Sequence, residues 1–443
     1  MHQTREYGKM CACAFDMPEH QTKEASALGA FRPIPYMGVI WVVAEAMKLG
    51  FRNGHPDWCN LGQGQPEVGE MEGAPPRPSE IQMEPGDHAY GPVGGTEELR
   101  QAVADHYNRL YRQGKKSKYT VANVSIASGG RLMLSRLFAA LGEVNLGYQV
   151  PDYTAYEDMM GYHQHRFTPI VIPAREGDGF VIPADVLESV VTGQNLEAFV
   201  LSNPCNPTGS VVRDAELKKY VEIARENGMT LGLDEFYSHF IYEADGSPGK
   251  GAVSGAAYVE DVDRDPVLLI DGLTKSFRYP GWRVGWALGP PEMIETLGCA
   301  ASAIDGGPSQ PMQRAALAIL EPERADQETN ALRQVFARKR NMMVSRLAEM
   351  GIRCAREPQG TFYCWASIKD LPPPLNDAEA FFFEGLKHKV MTVPGAFFDV
   401  NPGKLRPTHS PFKSWVRFSF GPPEDNVREG LNRLEQMIKT IAS

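Results

Sequence analysis

No uninterrupted apolar stretch in these 443 residues approaches the roughly 20 residues that a membrane-spanning helix needs. The strongest candidate, Met37–Met47, is short and predicts a helix packed on a core. Cysteine is scarce: seven residues, an odd number, scattered without a framework spacing. That excludes a disulfide-stapled scaffold and suits a reducing compartment, with the cytoplasm as the expected location. Cys11 and Cys13 form one close pair with no second pair beside it, so no metal site is expected. Positive charge is in deficit, 45 Lys and Arg against 55 Asp and Glu, for a formal charge of −10. A chain so balanced has no broad basic face, so neither nucleic acid nor an anionic membrane is an expected partner. Any anionic ligand must be held by a few local cations. The opening residues Met1–His20 carry no apolar core behind a basic start, so no signal peptide is expected. Internal repeats and low-complexity segments are absent too.

What is present fits a large globular chain. Hydrophobic residues make up 42% and charged residues 23%, proportions of a folded core under a solvated surface. The length suits two or three domains. A Pro/Gly-rich run from Gly62 to Pro92 lacks periodicity and reads as a long irregular connection across the surface or a cleft. Thr96 then caps a helix, with Glu97 and Glu98 in the first turn where the helix dipole favours them. Short apolar runs follow at Val124–Ala127, Ala198–Ser202, Thr230–Asp234, Val267–Asp271 and Val284–Leu288. They alternate with helical patterns at Leu132–Leu141, Asp214–Asn227 and Pro291–Ser302. The alternation predicts an α/β fold, a mainly parallel sheet covered on both faces. Beyond about Glu321 the pattern changes. A long charged helix (Gln327–Met350), a strand (Phe362–Ala366), a helix (Ala378–His388), a strand (Ser414–Phe420) and a final helix (Glu424–Ile441) predict a smaller α+β domain. The expected division is 1–65, an N-terminal segment packing on the small domain or a partner, then 66–320, the large domain, and 321–443, the small one.

Ligands of open α/β sheets collect outside the carboxyl ends of the strands, and four loops there carry unusual residues. Ser128-Gly129-Gly130-Arg131 opens a helix, and its glycines let backbone N–H groups approach an anion; a plain strand-to-helix turn is the simpler reading. Ser202-Asn203-Pro204-Cys205-Asn206-Pro207-Thr208-Gly209 doubles an Asn-Pro pair and leaves the Asn206 amide projecting, or is a turn. Asp234-Glu235-Phe236-Tyr237 ends an apolar strand, where Asp234 either caps a helix or holds a ring nitrogen protonated. Lys275 follows another apolar strand and precedes an aromatic, Gly-rich loop. Most lysines are solvated surface charges, but burial here would depress the pKa of Lys275 and make its amine nucleophilic. Arg283, eight residues on, offers a planar fork to a phosphate.

Together these loops resemble the fold-type I pyridoxal-phosphate enzymes, and among them the class I/II aminotransferases. The resemblance runs from Gly62 to Arg417. It is carried by Asn206-Pro207-Thr208-Gly209, Asp234-Glu235-Phe236-Tyr237, Thr274-Lys275 and Gly281-Trp282-Arg283-Val284-Gly285, in the family's order. It implies an aminotransferase-like three-layer large domain with a mainly parallel sheet, a smaller α+β domain, and pyridoxal 5′-phosphate as cofactor. Lys275 matches the Schiff-base lysine, later the base that moves a proton between the substrate's α-carbon and the cofactor. Asp234 matches the carboxylate paired with the ring nitrogen. Asn206 and Tyr237 match the donors to the phenolic oxygen, and Tyr153 the aromatic that stacks on the ring. Gly129, Gly130 and Arg283 match the phosphate cup, and Arg131 and Thr274 are expected among the cofactor-binding residues. Tyr90 matches a tyrosine that reaches the phosphate of the neighbouring subunit, which implies a homodimer with shared active sites. Arg417 matches the clamp on the substrate α-carboxylate, and Gly64, with Asn206, lines the substrate pocket.

One position departs from the pattern. Relatives usually carry a serine three residues before the lysine, and Gly272 stands there instead, so water or Thr274 must supply the lost donor. The expected reaction moves an amino group from an L-amino acid to a 2-oxo acid. A dicarboxylic donor is disfavoured, because Leu297–Gln313 holds no Arg or Lys to meet a second carboxylate. An apolar, aromatic or cationic side chain fits better. Asp305, in the same stretch, either recognises substrate or caps its loop. The alternative is a specialised biosynthetic enzyme using the same cofactor for elimination, cyclisation or oxidation, since fold does not fix reaction type. A DNA-binding regulator with a related domain is opposed by the acidic balance.

Overall fold

Strands form here where apolar, β-branched runs are covered on both sides. The computed structural model describes residues 34–442, so Cys11, Cys13 and Met1–His20 lie outside the described residues. Helix α1 (Gly38–Lys48), the two-residue strand β1 (Cys59–Asn60) and helix α2 (Glu97–Tyr111) lead into a seven-stranded sheet. Thr96 caps α2 as predicted, its hydroxyl accepting from the Leu99 N–H at 3.5 Å. The sheet comprises β2 (Val124–Ala127), β3 (Val144–Val150), β4 (Phe167–Pro173), β5 (Ala198–Ser202), β6 (Thr230–Asp234), β7 (Val267–Gly272) and β8 (Gly285–Leu288). Their order is β2-β8-β7-β6-β5-β3-β4. Neighbours from β7 to β4 pair in parallel, and β8 alone runs against both of its neighbours. Every residue of β2, β5, β7 and β8 is buried. Helices α3 (Gly130–Ala140), α4 (Ala155–Tyr162), α5 (Ala184–Gly193), α6 (Asp214–Asn227), α7 (Pro291–Ile304) and α8 (Gln310–Leu320) join and cover the strands.

The sheet has two strands beyond the five that the sequence pattern predicts. In β3, Asn145, Gly147 and Gln149 interrupt the apolar run, yet Gln149 is buried with its amide on Cys205 Sγ at 3.3 Å. Strand β4 carries Pro169 and Pro173, which an edge strand tolerates because one side needs no ladder donor. The consequence for function is geometric. With β8 reversed, its amino end meets the carboxyl ends of the parallel strands, so Arg283 enters the same edge as Lys275.

The chain continues through α9 (Pro322–Glu349), which starts earlier than the predicted Gln327, then β9 (Arg353–Cys354) and β10 (Tyr363–Ser367). Helix α10 (Ala378–Lys387), β11 (Val390–Met391), β12 (Val393–Pro394), β13 (Trp415–Ser419) and α11 (Glu424–Ala442) complete it. A four-stranded antiparallel sheet has the order β12-β13-β10-β9, and β11 pairs in parallel with β1. Helix α11 buries Val427, Leu431, Leu434 and Ile438 along one face. Each such burial stabilises by roughly 2 kcal/mol, so packing rather than propensity holds the helix in place. Among the described residues no helix is long and apolar enough to cross a membrane.

A buried ionic knot fixes the lysine loop. Arg278 Nε meets Glu328 of α9 at 2.6 Å, and Arg278 also donates to the carbonyls of Glu67 and Gly69 at 3.1 and 3.0 Å. Lys339, also on α9, reaches the Glu67 carboxylate at 2.9 Å. The loop after β7, the Glu67–Gly69 segment and α9 are thus one braced unit; Arg77 also reaches the Glu328 carboxylate at 3.2 Å, so it is the loss of Glu328 that would leave the buried Arg278 without a counter-charge.

Candidate active site

Lys275 lies three residues beyond β7, largely buried, with its amine donating to the Gly64 carbonyl. Burial pushes its pKa down to about 7, and the guanidinium groups of Arg417, Arg131 and Arg283 push the same way. Asp234, at the end of β6, opposes them. Its own pKa is raised to about 6 by burial, against the Tyr156 hydroxyl, the Phe236 N–H and the Lys275 charge, which hold it down. The Tyr156 hydroxyl donates to Asp234 Oδ2 at 2.9 Å. A neutral amine and an acid thus share one cavity in a range where both change charge near neutrality, an arrangement that concentrates at reactive sites.

The remaining predicted residues line the same cavity of about 1000 Å³, apart from two. Arg417 on β13 is buried beneath the rings of Tyr363 and Phe398, its guanidinium carbon 4.0 and 5.1 Å from their centroids. It donates to Asn206 Oδ1 at 2.8 Å and to the Gly62 carbonyl at 2.9 Å, while its buried Nε has no hydrogen-bond partner. Tyr237 and Tyr363 share a hydroxyl contact of 3.0 Å. Arg131 Nε donates to the Tyr153 hydroxyl at 3.0 Å. Gly64, Gly130, Tyr153, Thr274 and Arg283 complete the lining. Gly129, one residue before the α3 start, stands against Arg283. Tyr90 is apart from the rest, 98% exposed.

The glycines are bare for a reason. A β-carbon on Gly129, whose φ is 93°, would sit 2.2 Å from a terminal nitrogen of Arg283, and one on Gly130 would sit 2.3 Å from the Phe236 ring. The bare backbone at the start of α3 thus lies directly against the Arg283 guanidinium, an arrangement of the kind that binds anions. At Gly272 a β-carbon would lie 2.5 Å from the Val284 carbonyl oxygen and 2.7 Å from Gly285 Cα. The Gly272–Gly285 pairing of β7 with β8 leaves no room for a serine. The Thr274 hydroxyl, meanwhile, is buried without a hydrogen-bond partner among the described residues. Of the two replacements expected for the lost donor, the threonine is the one with its donor free and in the cavity.

Sequence reasoning missed three contributors. Tyr156 stands one residue inside α4, three beyond Tyr153, and only the tertiary fold brings it to Asp234. Tyr363 follows a glycine turn at the start of β10 and gives no motif of its own. Asp152 accepts from the Ser202 hydroxyl, which in turn accepts from the Asn206 N–H at 3.1 Å, so a buried relay fixes the Asn206 loop. Burial raises the pKa of Asp152 to about 8, against the hydrogen bonds from Ser202 and Tyr153. Asp305 proves structural: its carboxylate pairs with Arg136 at 2.7 and 2.9 Å and accepts from the Gly307 N–H at 2.9 Å, capping its own loop.

A buried lysine facing a carboxylate, beside a glycine cradle on an α/β sheet, defines a class of group-transfer enzyme. The sequence places the chain more closely: residues 56–434 match the model of the family "Aminotransferase class I and II", and the chain belongs to that family. It is 28% identical over 389 residues to an aspartate aminotransferase of Sulfurisphaera tokodaii, covering 86% of this chain and 90% of that one. It is 27% identical over 407 residues to an aspartate/prephenate aminotransferase of Thermus thermophilus, covering 90% and 95%. Among solved structures, the aspartate aminotransferase from Thermus thermophilus with maleate superposes with a TM-score of 0.73 at 24% identity, covering 91% and 97%. An aromatic aminotransferase from Pyrococcus horikoshii gives 0.71 at 23% identity, covering 90% and 99%. These two likenesses speak for the fold. The chain is an aminotransferase, and the names of its relatives favour amino transfer over elimination, cyclisation or oxidation.

Proposed function

We propose that the chain moves an amino group between an L-amino acid and a 2-oxo acid with pyridoxal 5′-phosphate held on Lys275, in sites completed by a second subunit. The observation that carries this reading is the Lys275 amine, buried among three arginines with its pKa near 7. Bound there, pyridoxal phosphate supplies a carbonyl to take up the amino group and a ring to store the electron pair released at the α-carbon. The residues fit it. The cradle of Gly129, Gly130 and Arg283 would hold the phosphate, with the orphan Thr274 hydroxyl as a further donor. Asp234 would hold the ring nitrogen, Asn206 and Tyr237 the phenolic oxygen, and Tyr153 the ring face.

Substrate handling falls to the other side of the cavity. Arg417 already spends two N–H groups on Asn206 and Gly62, and its free Nε side meets an α-carboxylate as a charge-assisted pair. Its cation lowers the pKa of Lys275, which keeps a fraction of the amine neutral near pH 7. A neutral amine accepts the α-proton and, once charged, returns it. Tyr90, 98% exposed on one chain, reaches outward to a partner's phosphate, as the resemblance implies, so the functional unit is a homodimer. Residues 66–320 form the cofactor domain and 321–443 the part that carries Arg417. The five described cysteines are all free, which suits a reducing cytoplasm.

The test follows the nitrogen. Purified protein given ¹⁵N-labelled L-amino acids and unlabelled 2-oxo acids should return label in the new amino acid. Release of ammonia, or consumption of oxygen, without labelled product would overturn the transfer reading.

A further inference from the structure

A carboxylate buried without a cation beside it needs a reason to be there. Asp152 is fully buried in the turn that follows β3, and among the described residues no Lys or Arg pairs with it. Its partners are neutral donors instead. The Ser202 hydroxyl and the Tyr153 N–H, the latter at 2.6 Å, meet Oδ1, and the Ser202 N–H meets Oδ2 at 3.2 Å. The Ser202 oxygen in turn accepts the Asn206 N–H at 3.1 Å, so its own proton is directed at the carboxylate. Three donors suit the ionised form and work against the burial that pushes the Asp152 pKa up to about 8.

Each group that Asp152 holds leads to a side chain of the cavity. Tyr153 is the next residue, and its hydroxyl accepts from Arg131 Nε at 3.0 Å. Ser202 ends β5 directly beside Asp234 of β6. Asn206, four residues on, has Oδ1 on Arg417 at 2.8 Å. With that oxygen spent, the group left to serve a cofactor oxygen is the amide nitrogen. The backbone of Asp152 makes a further link: its N–H donates to the Phe398 carbonyl at 3.1 Å, and the Phe398 ring covers Arg417. Misplacing a reacting or holding group by one ångström costs about a hundredfold in rate, so a joint between these side chains bears on chemistry.

We infer that Asp152 is a positioning residue: through Ser202 it sets the spacing between Tyr153, on the face of the cofactor ring, and the Asn206 amide, at its phenolic edge. The inference rests on the proposed placement of pyridoxal phosphate. Asp152 itself touches neither cofactor nor substrate in this reading. A carboxylate that only held a turn would leave the ring unaffected. Asp265 is such a group, 4% exposed, accepting from the Glu260 N–H at 2.7 Å and lining no part of the cavity.

The readout is the pH at which the visible absorbance of the loaded protein changes. A hydrogen bond to the phenolic oxygen favours its charged form, so the proton it shares with the Lys275 nitrogen leaves at lower pH. Ser202→Ala, which changes no charge, should raise that midpoint by about one unit or more, the scale of one hydrogen bond to a charged group. Asp152→Asn should raise it too. Removing a negative charge would by itself lower it, so the direction separates positioning from a simple field effect. The double variant should shift no further than the larger single one, because both cut the same relay. Asp265→Asn should lower the urea midpoint and leave the absorbance midpoint in place. Asp234, Arg417, Arg131 and Arg283, the charges that bear on Lys275, are kept in every variant.

Amide hydrogen exchange of the cofactor-free protein gives a second, independent reading. Ser202→Ala should speed exchange about tenfold or more in the peptides holding Tyr153 and Asn206, with α11 unchanged. A midpoint that stays or falls in Ser202→Ala, additive shifts in the double variant, or an equal shift in Asp265→Asn overturns the inference. If the wild type binds no pyridoxal phosphate, the proposed function fails and exchange alone decides. Acceleration confined to those two peptides then supports the Asp152 link, and its absence overturns it.

Discussion

Replacing Lys275 by methionine should stabilise the cofactor-free protein, and do so most at low pH. The lysine is largely buried, and its pKa is lowered from 10.5 to about 7, mainly by desolvation and then by the arginines around it. The folded state therefore binds fewer protons than the unfolded chain between these values. Stability rises with pH across that window and is lost as pH falls toward 7. At about 1.4 kcal/mol per unit, the buried ammonium costs on the order of 4 kcal/mol near pH 7 and roughly 1 kcal/mol near pH 10. Methionine, similar in shape and uncharged, removes that cost. Two losses offset part of the gain. The Gly64 carbonyl forfeits its donor, worth about 1 kcal/mol, and Asp234 loses a cation that lowers its pKa. Urea midpoints of apo wild type and Lys275→Met, compared from pH 6.5 to 9.5 at one protein concentration, should show the variant ahead, with the margin shrinking as pH rises. A margin that does not change with pH, or a variant less stable throughout, would refute the account of Lys275 as a strained, depressed amine.

Other expectations concern single groups. Arg417→Ala should keep the cofactor but lose roughly a hundredfold or more in kcat/KM for the amino donor, because a charge-assisted pair in a closed site is removed; loss of cofactor instead would make Arg417 structural. Arg283→Ala should show the opposite pattern, a weaker cofactor above all, measured by equilibrium dialysis. Thr274→Val, nearly isosteric, should raise the cofactor dissociation constant about tenfold, since a hydrogen bond to a charged group is worth roughly 1.5–3 kcal/mol; no change would leave the orphan hydroxyl without a role. Sedimentation should show a dimer, and mixed dimers of Tyr90→Phe with an inactive Lys275→Ala chain should locate Tyr90 at its neighbour's site.

Much of this was legible because the chemistry sits where strands end. The runs Thr230–Asp234 and Val267–Asp271 are apolar enough to predict buried strands, and Asp234 and Lys275 follow from their positions at or just past those ends. Glycines could be read as bare backbone, but not what each avoids: at Gly129 it is an arginine, at Gly272 the backbone of the adjacent strand. Strands β3 and β4 were hidden because tertiary burial of Gln149 and an edge position for Pro169 override local preference. Tyr156 and Tyr363 were hidden for a related reason. Their roles exist only in contacts spanning 78 and 126 residues of chain, which no local pattern encodes. Arg417 was legible only through resemblance; its burial under Tyr363 and Phe398 is a product of the β10–β13 register, with Trp365 opposite Arg417.

The central claim is that Lys275 carries the cofactor. Borohydride reduction of the purified, yellow protein followed by peptide mass mapping tests it directly. The account predicts a phosphopyridoxyl adduct on Lys275, absent from Lys275→Ala; an adduct on any other lysine, or none on the coloured wild type, would contradict it.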